Sequence, residues 1–122
     1  MEEKKKILAV DDEEDIRFIL KEELTDEGYD VYTLGDPTQA LDKIEEIKPD
    51  LVLVDIKMPQ MSGIELLGKI RDKYYDLPVI LLTAYSSFKR DIASAASDHY
   101  VVKSGDLTEL KNRIERIFKV KV

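Results

Sequence analysis

Side chains able to do chemistry follow the apolar segments of this chain, each at the point where a predicted β-strand ends. They are acids, a hydroxyl and an ammonium, carried by Asp11, Asp12, Asp55, Thr83 and Lys103. The carboxyl ends of parallel strands meet at one edge of a sheet, which is where α/β sheets bind ligands. If these segments pair as parallel strands, the five side chains converge on a single site.

The acids predict a site for a hard divalent cation. Carboxylates held within a few ångströms repel one another, and a cation among them offsets that repulsion. Oxygen ligands without His or Cys favour Mg²⁺, with Mn²⁺ as the alternative. Asp11 and Asp12 are adjacent, so their side chains diverge on an extended strand and are predicted to hold the ion from two directions.

Asp55 is predicted to be a nucleophile toward phosphorus. It ends the most apolar segment, and the sequence that follows it, IKMPQMSG, contains proline and glycine that let the backbone bend around a small anion. With a phosphate held at the cation, the carboxylate of Asp55 is suited to in-line attack. Thr83 and Lys103 would then hydrogen-bond and neutralise the other phosphate oxygens.

Length and composition describe a single acidic domain. The chain has 122 residues, 43% of them hydrophobic, which is enough for one core flanked by helices. Its 19 Lys and Arg against 26 Asp and Glu give a net charge of -7, which argues against direct binding to nucleic acid or an anionic membrane. Without cysteine, disulfides and thiolate ligands are excluded. We expect a cytoplasmic protein, because the N-terminal apolar stretch is too short for a signal peptide or a membrane span.

Strand-like and helix-like segments alternate from end to end, in the order (βα)5. This alternation predicts a three-layer, doubly wound α/β domain with a five-stranded parallel sheet. The third strand is apolar throughout, as a central strand covered on both faces should be. The predicted strands are Lys6–Val10, Asp30–Leu34, Leu51–Asp55, Val79–Thr83 and residues 100–102.

Apolar residues at helical spacing predict a helix after each strand. Gly28 is predicted to stop the first helix, and Asp36 with Pro37 to begin the second. The third is expected to end near Tyr74, and the fourth to span residues 89–97. The apolar positions of the other four helices are Ile16, Leu20 and Leu24; Ala40, Leu41, Ile44 and Ile47; Ile64, Leu67 and Ile70; and Leu110, Ile114 and Ile117.

Taken in order, these motifs resemble the receiver domain of two-component response regulators over essentially the whole chain. The matching pieces are VDDEEDIR around the acidic pair, DLVLVDIKMPQMSG around Asp55, PVILLTA around Thr83, and YVVK ending in Lys103. The resemblance implies a flavodoxin-like fold. We expect residues 1–122 to form one receiver domain without an effector domain, either as a stand-alone receiver or as part of a longer protein.

The resemblance implies a metal site and a phosphoryl acceptor. Mg²⁺ would be bound by the side chains of Asp11, Asp12 and Asp55 and by the main-chain carbonyl of Lys57. Asp55 would take a phosphoryl group from the phosphohistidine of a histidine kinase or a histidine phosphotransfer protein.

The resemblance further implies a switch beside the acceptor. Thr83 and Lys103 would bind the new phosphoryl group, and Thr83 together with Tyr100 would couple it to the face formed by the fourth helix, the fifth strand and the fifth helix. Lys57 and Tyr85 border the implied site and would tune the lifetime of the phosphoryl group. Adding nearly two negative charges creates hydrogen bonds available only in the phosphorylated form, which shifts the population of the two arrangements.

The implied function is a signalling switch rather than a turnover enzyme. Its output would be binding to a downstream protein of unknown identity. We expect a monomer, and the resemblance also allows a phosphorylation-dependent dimer.

Departures from the family pattern keep alternatives open. Ser104 follows Lys103 where the family usually has proline after a cis peptide bond, and since a cis bond before another residue costs about 2.5 to 4 kcal/mol, we predict a trans bond. The segment between Thr83 and Lys103 is also shorter than usual. These features favour, as the alternative, a degenerate receiver acting as a phosphorylation-independent interaction module.

A small phosphohydrolase is disfavoured, because the second acid it needs two residues after Asp55 is replaced by Lys57.

Overall fold

The computed structural model of the chain describes residues 4–83, 99–102 and 107–120, and for residues 83, 99–102 and 120 it describes the backbone alone. Five parallel strands lie in the order β2-β1-β3-β4-β5. Strand order reverses between β1 and β3, as in flavodoxin-like sheets, so the predicted architecture is confirmed. The strands are β1 Lys6–Val10, β2 Asp30–Leu34, β3 Leu51–Asp55, β4 Val79–Thr83 and β5 His99–Val102.

Helices cover both faces of the sheet. Those described are α1 Glu14–Asp26, α2 Ala40–Ile47, α3 Gly63–Lys73 and α4 Thr108–Val120. Buried side chains of α1 and α4 pack on one face of the sheet, and those of α2 and α3 pack on the other. The helix predicted over residues 89–97 lies outside the described residues. Among the helices that are described, none is long and apolar enough to cross a membrane.

Alternation along the strands builds two apolar layers around the sheet. In β1, Leu8 and Val10 belong to the layer under α2 and α3, whereas Ile7 and Ala9 belong to the layer under α1 and α4. All five residues of β3 are buried, which confirms that it is the central strand. This burial anchors the residues that come at the carboxyl end of β1 and β3.

The start of the second helical segment differs from the prediction. The Asp36 carboxylate accepts a hydrogen bond from the Thr38 N–H at 3.0 Å, as an N-cap does, but the turn it caps is the 3-10 helix Pro37–Gln39. The regular helix α2 begins only at Ala40. Gly28, by contrast, stops α1 as predicted, with a positive φ of 99° that a glycine adopts without strain.

Ser62 caps the helix that follows the loop after β3. Its side-chain Oγ accepts a hydrogen bond from the Glu65 N–H at 3.1 Å, satisfying a donor that the first turn of α3 leaves without a helical partner. We expect Ser62→Ala to lower the free energy of unfolding by about 1 kcal/mol, measured by urea denaturation. Ser62→Asp, which preserves the cap, should be nearly neutral. Equal stability of Ser62→Ala and wild type would show that the cap contributes nothing.

Candidate functional site

The pairing of β1 with β3 brings the acids together. Val10 pairs with Val54 across the two parallel strands, so Asp11 and Asp55 each follow one member of that pair at the carboxyl edge of the sheet. Asp12 comes next along the chain. One carboxylate oxygen from each of the three acids lies within 4.8 Å of the other two. The predicted convergence of the three acids is therefore observed.

Two of the three acids are removed from solvent. Asp11 is 1% exposed and Asp55 is 4% exposed, while Asp12 is the most open of the three. Charges of the same sign repel strongly at this distance where water is excluded, and a divalent cation offsets that repulsion. The donors are all oxygen atoms, the set that Mg²⁺ and Mn²⁺ prefer. The residues present therefore fit such an ion.

Hydrogen bonds hold the turn between β1 and α1. The Asp11 N–H donates to the carbonyl of Leu34 at the end of β2, at 3.0 Å. The Glu13 N–H donates to Oδ1 of Asp11 at 2.9 Å, and the Arg17 guanidinium donates through Nη1 to the carbonyl of Asp11 at 2.7 Å. Both the side chain and the backbone of Asp11 are thus held by hydrogen bonds within the protein.

Gly63 allows the loop after β3 to close tightly beneath the site. Its N–H donates to the carbonyl of Ile56 at 2.7 Å. A Cβ atom at position 63 would lie 2.2 Å from the carbonyl oxygen of Asp55 and 2.8 Å from the Cα of Ile56. Real Cβ atoms do not approach backbone atoms so closely, so only glycine fits. The backbone of Asp55 is therefore held against the first residue of α3.

A cleft opens beside the acidic cluster. It has a volume of about 520 Å³, and both Asp12 and Lys57 line it. The other lining residues are Ile56, Met58, Pro59, Ser62 and Ile64. Lys57 therefore lies beside Asp12 along this cleft, and its side chain is exposed. Its predicted role as a carbonyl ligand stays a prediction.

The remaining predicted residues belong to β4, β5 and the segments that follow them. Thr83 is the last residue of β4, and its backbone pairs with Val102, the residue before Lys103. Tyr100 lies within β5 and pairs with Leu81. The side chains of Thr83 and Tyr100, together with Tyr85, Lys103 and the Lys103–Ser104 bond, lie outside what the structure describes. Their roles stay predictions.

The sequence pattern does not single out Arg17 or Gly63. Each lay inside a quoted motif, VDDEEDIR or IKMPQMSG, but only as part of the pattern. The sequence predicts that Gly63 lets the loop bend, whereas its observed property is close contact with the Asp55 backbone. The sequence signal that could have identified Gly63 is a glycine directly after Ser62, the residue that caps α3.

The sequence matches one protein family over most of its length, and a curated relative is similar to it. The family of response regulator receiver domains matches residues 7–115. A curated relative, the alkaline phosphatase synthesis transcriptional regulatory protein PhoP of Bacillus subtilis, is 37% identical over 94% of this chain. The chain spans about half the length of that relative, 49%.

Solved structures agree in fold and sequence. The response regulator TrrA of Thermotoga maritima, determined in complex with Mg²⁺ and BeF, is 49% identical, with a TM-score of 0.87 over 92% of this chain and 97% of TrrA. TrrA in complex with the histidine kinase ThkA superposes with a TM-score of 0.85 over the same shares. A receiver domain protein of Methanospirillum hungatei is 33% identical, with a TM-score of 0.88 over 96% of this chain and 95% of its own. Because the family match covers most of the sequence and the fold agrees, this chain belongs to the response regulator receiver domain family.

Proposed function

We propose that this receiver domain accepts a phosphoryl group on Asp55 from the phosphohistidine of a histidine kinase or histidine phosphotransfer protein. The observation that carries the proposal is the cluster of three carboxylate oxygens within 4.8 Å at the carboxyl edge of β1 and β3. Two similar structures support it: TrrA was determined with Mg²⁺ and BeF, and also in complex with a histidine kinase.

The proposed cofactor is Mg²⁺, with Mn²⁺ as a substitute. The side chains of Asp11, Asp12 and Asp55 and the main-chain carbonyl of Lys57 would hold it. When bound, the ion supplies positive charge that lets a phosphoryl group approach three carboxylates. The oxygen-only donor set and the burial of Asp11 and Asp55 support this assignment.

In the proposed transfer, a carboxylate oxygen of Asp55 attacks phosphorus. A P–O bond forms while the P–N bond to the donor imidazole breaks, and the imidazole leaves with that electron pair. Burial limits the conformations open to the Asp55 side chain, and the Gly63 contact fixes the backbone that carries it. A preorganised nucleophile of this kind lowers the entropic part of the barrier.

Thr83 and Lys103 are the proposed partners of the transferred phosphoryl group. Thr83 ends β4, and Lys103 follows the residue that pairs with Thr83 in β5. A hydroxyl and an ammonium give charge-assisted hydrogen bonds to phosphoryl oxygens, and these form only after transfer. Thr83 and Tyr100 would relay the change, and Lys57 and Tyr85 would set its lifetime.

The proposed output is a shift in affinity for a downstream protein. It would use the face that includes β5 and the last helix, together with the fourth predicted helix. We propose that the domain is a cytoplasmic monomer that signals without turning over a substrate. Dimerisation on phosphorylation would be a second way of producing the same output.

Intact-mass measurement after incubation with Mg²⁺ and acetyl phosphate tests this proposal. We expect one phosphoryl group per chain, lost slowly once the donor is removed. No added mass, with either acetyl phosphate or a phosphorylated kinase, would contradict the proposal and favour the interaction module. Fast, sustained release of inorganic phosphate without accumulation of a phosphorylated chain would instead indicate a phosphohydrolase.

A further inference from the structure

Arg17 lies between the turns that follow β1 and β2. Its Nη1 atom donates a 2.7 Å hydrogen bond to the main-chain carbonyl of Asp11, after β1. On the other side it meets Gly35, directly after β2, where a Cβ atom would lie 2.8 Å from Nη1 and 3.1 Å from Cζ. The guanidinium group therefore occupies space that a side chain at position 35 would take.

The Arg17 bond completes a ring of hydrogen bonds around the acidic turn. The main-chain N–H of Glu13 donates to Oδ1 of Asp11 at 2.9 Å, and the main-chain N–H of Arg17 donates to the carbonyl of Glu13 at 3.1 Å. The Arg17 side chain then returns to the carbonyl of Asp11. That carbonyl belongs to the peptide that joins Asp11 to Asp12. Rotation of this peptide would move one carboxylate relative to the other.

We propose that Arg17 is a positioning residue of the metal site, holding the Asp11–Asp12 peptide so that both carboxylates face one ion, and that Gly35 leaves the space this arginine needs. The inference rests on the proposed function, because it assumes that the cluster binds Mg²⁺ or Mn²⁺. Removing a group that orients a metal ligand without itself binding the metal typically weakens metal binding by about 10-fold to 100-fold.

The direction in which removal of the Arg17 guanidinium changes metal affinity separates a positioning role from simple electrostatics. Arg17 carries a positive charge close to a site for a positive ion, so deleting that charge alone should tighten metal binding. If the guanidinium acts by holding the peptide, deleting it should weaken binding instead. A residue that only docks α1 on the sheet would change stability and leave metal affinity as it was.

Gly35 provides an independent test of the same contact. Its backbone conformation lies outside the left-handed region, and the three atoms nearest to a Cβ there all belong to Arg17. Alanine at position 35 should therefore disturb the site only through the arginine. The effect of Gly35→Ala should vanish once the guanidinium is absent, which is the signature of direct coupling in a double-mutant cycle.

The experiment measures Mn²⁺ dissociation constants by electron paramagnetic resonance for four proteins: wild type, Arg17→Met, Gly35→Ala and the double variant. Methionine keeps an unbranched stem while removing the charge and the donors. We expect Arg17→Met to bind Mn²⁺ about tenfold more weakly and Gly35→Ala to show a smaller loss. The double variant should match Arg17→Met within about twofold.

Several results would overturn the inference. Tighter or unchanged Mn²⁺ binding by Arg17→Met would show that the arginine does not position the site. Losses in the two single variants that multiply in the double variant would show that Gly35 acts independently of Arg17. A wild-type protein that binds no Mn²⁺ would overturn the proposed function, and this inference with it.

Circular dichroism without metal checks that each variant is folded. Should Arg17→Met not fold, the cycle is run with Arg17→Lys, which keeps the charge but loses the planar fork of donors. We expect Arg17→Lys to bind Mn²⁺ more weakly than wild type, with a reduced effect of Gly35→Ala. Wild-type affinity in Arg17→Lys, with an unchanged effect of Gly35→Ala, would contradict the proposal.

Discussion

Asp55→Asn is expected to abolish phosphoryl acceptance while making the metal-free protein more stable. The amide is not a nucleophile toward phosphorus, so no added mass should appear after incubation with Mg²⁺ and acetyl phosphate. The stability gain follows from like charges: two unit charges about 5 Å apart repel by roughly 3 kcal/mol at an effective dielectric constant near 20. Because the buried amide needs hydrogen-bond partners, we expect a net gain of about 1 to 2 kcal/mol.

Mg²⁺ should reverse or cancel the difference in stability between Asp55→Asn and wild type. At roughly a hundred times its dissociation constant, an ion that binds only the folded state adds about 2.7 kcal/mol of stability. Wild type should show that gain in urea denaturation, and Asp55→Asn should show much less of it. A variant that is less stable than wild type in chelator would contradict our account of repulsion in the cluster.

Asp50→Asn is the matched control for this prediction. Asp50 directly precedes β3, at the opposite edge of the sheet from Asp55, and its replacement changes the net charge by the same amount. Its Oδ2 atom accepts a hydrogen bond from the Lys6 N–H at 2.8 Å, which an asparagine oxygen can also accept. We therefore expect wild-type phosphorylation and an unchanged response to Mg²⁺ in Asp50→Asn.

Gly63→Ala is expected to destabilise the domain by about 3 kcal/mol and to impair metal binding and phosphorylation together. The added Cβ would lie 2.2 Å from the carbonyl oxygen of Asp55, and the atoms it meets are backbone atoms that cannot rotate away. Overpacking of a tight site costs about 1 to 3 kcal/mol, and this contact is at the severe end. To relieve it, either α3 or the end of β3 must move.

Gly68→Ala, in the same helix, is the control. A Cβ atom at Gly68 meets nothing within 4 Å, so the substitution should add about 0.5 to 1 kcal/mol of stability through helix propensity. Urea denaturation of both variants, with Mn²⁺ binding measured in parallel, checks the pair. Wild-type stability and metal affinity in Gly63→Ala would show that the contact with Asp55 can be relieved without disturbing the site.

The parts of the fold that depend on local pattern could be predicted from the sequence. Apolar segments located β1, β3 and β4 to the residue, because buried parallel strands are apolar runs bounded by turns. The bounds of β2 were also predicted, although it is an edge strand with only Val31 fully buried. The alternation with helices predicted the parallel sheet, and the parallel sheet in turn predicted that Asp11 and Asp55 meet at one edge. The acidic cluster followed from topology rather than from any single motif.

The parts that depend on contacts between distant segments could not be predicted. Gly63 and the Asp55 carbonyl are eight positions apart, and their contact depends on the path of the intervening loop. The position of the Arg17 guanidinium against Gly35 depends on how α1 packs beside β2. One local feature was also not predicted: the left-handed backbone of Lys48, with φ of 51°, ends α2 without the glycine that usually signals such a position.

A crystal structure of the protein with Mg²⁺ and beryllofluoride tests the central claim most directly, because beryllofluoride imitates a phosphoryl group on a carboxylate. Our account predicts one ion in contact with Asp11, Asp12 and Asp55, and beryllium bonded to the carboxylate of Asp55. An ion bound elsewhere, or beryllofluoride absent from an Asp55 side chain that points away from the other two acids, would contradict it.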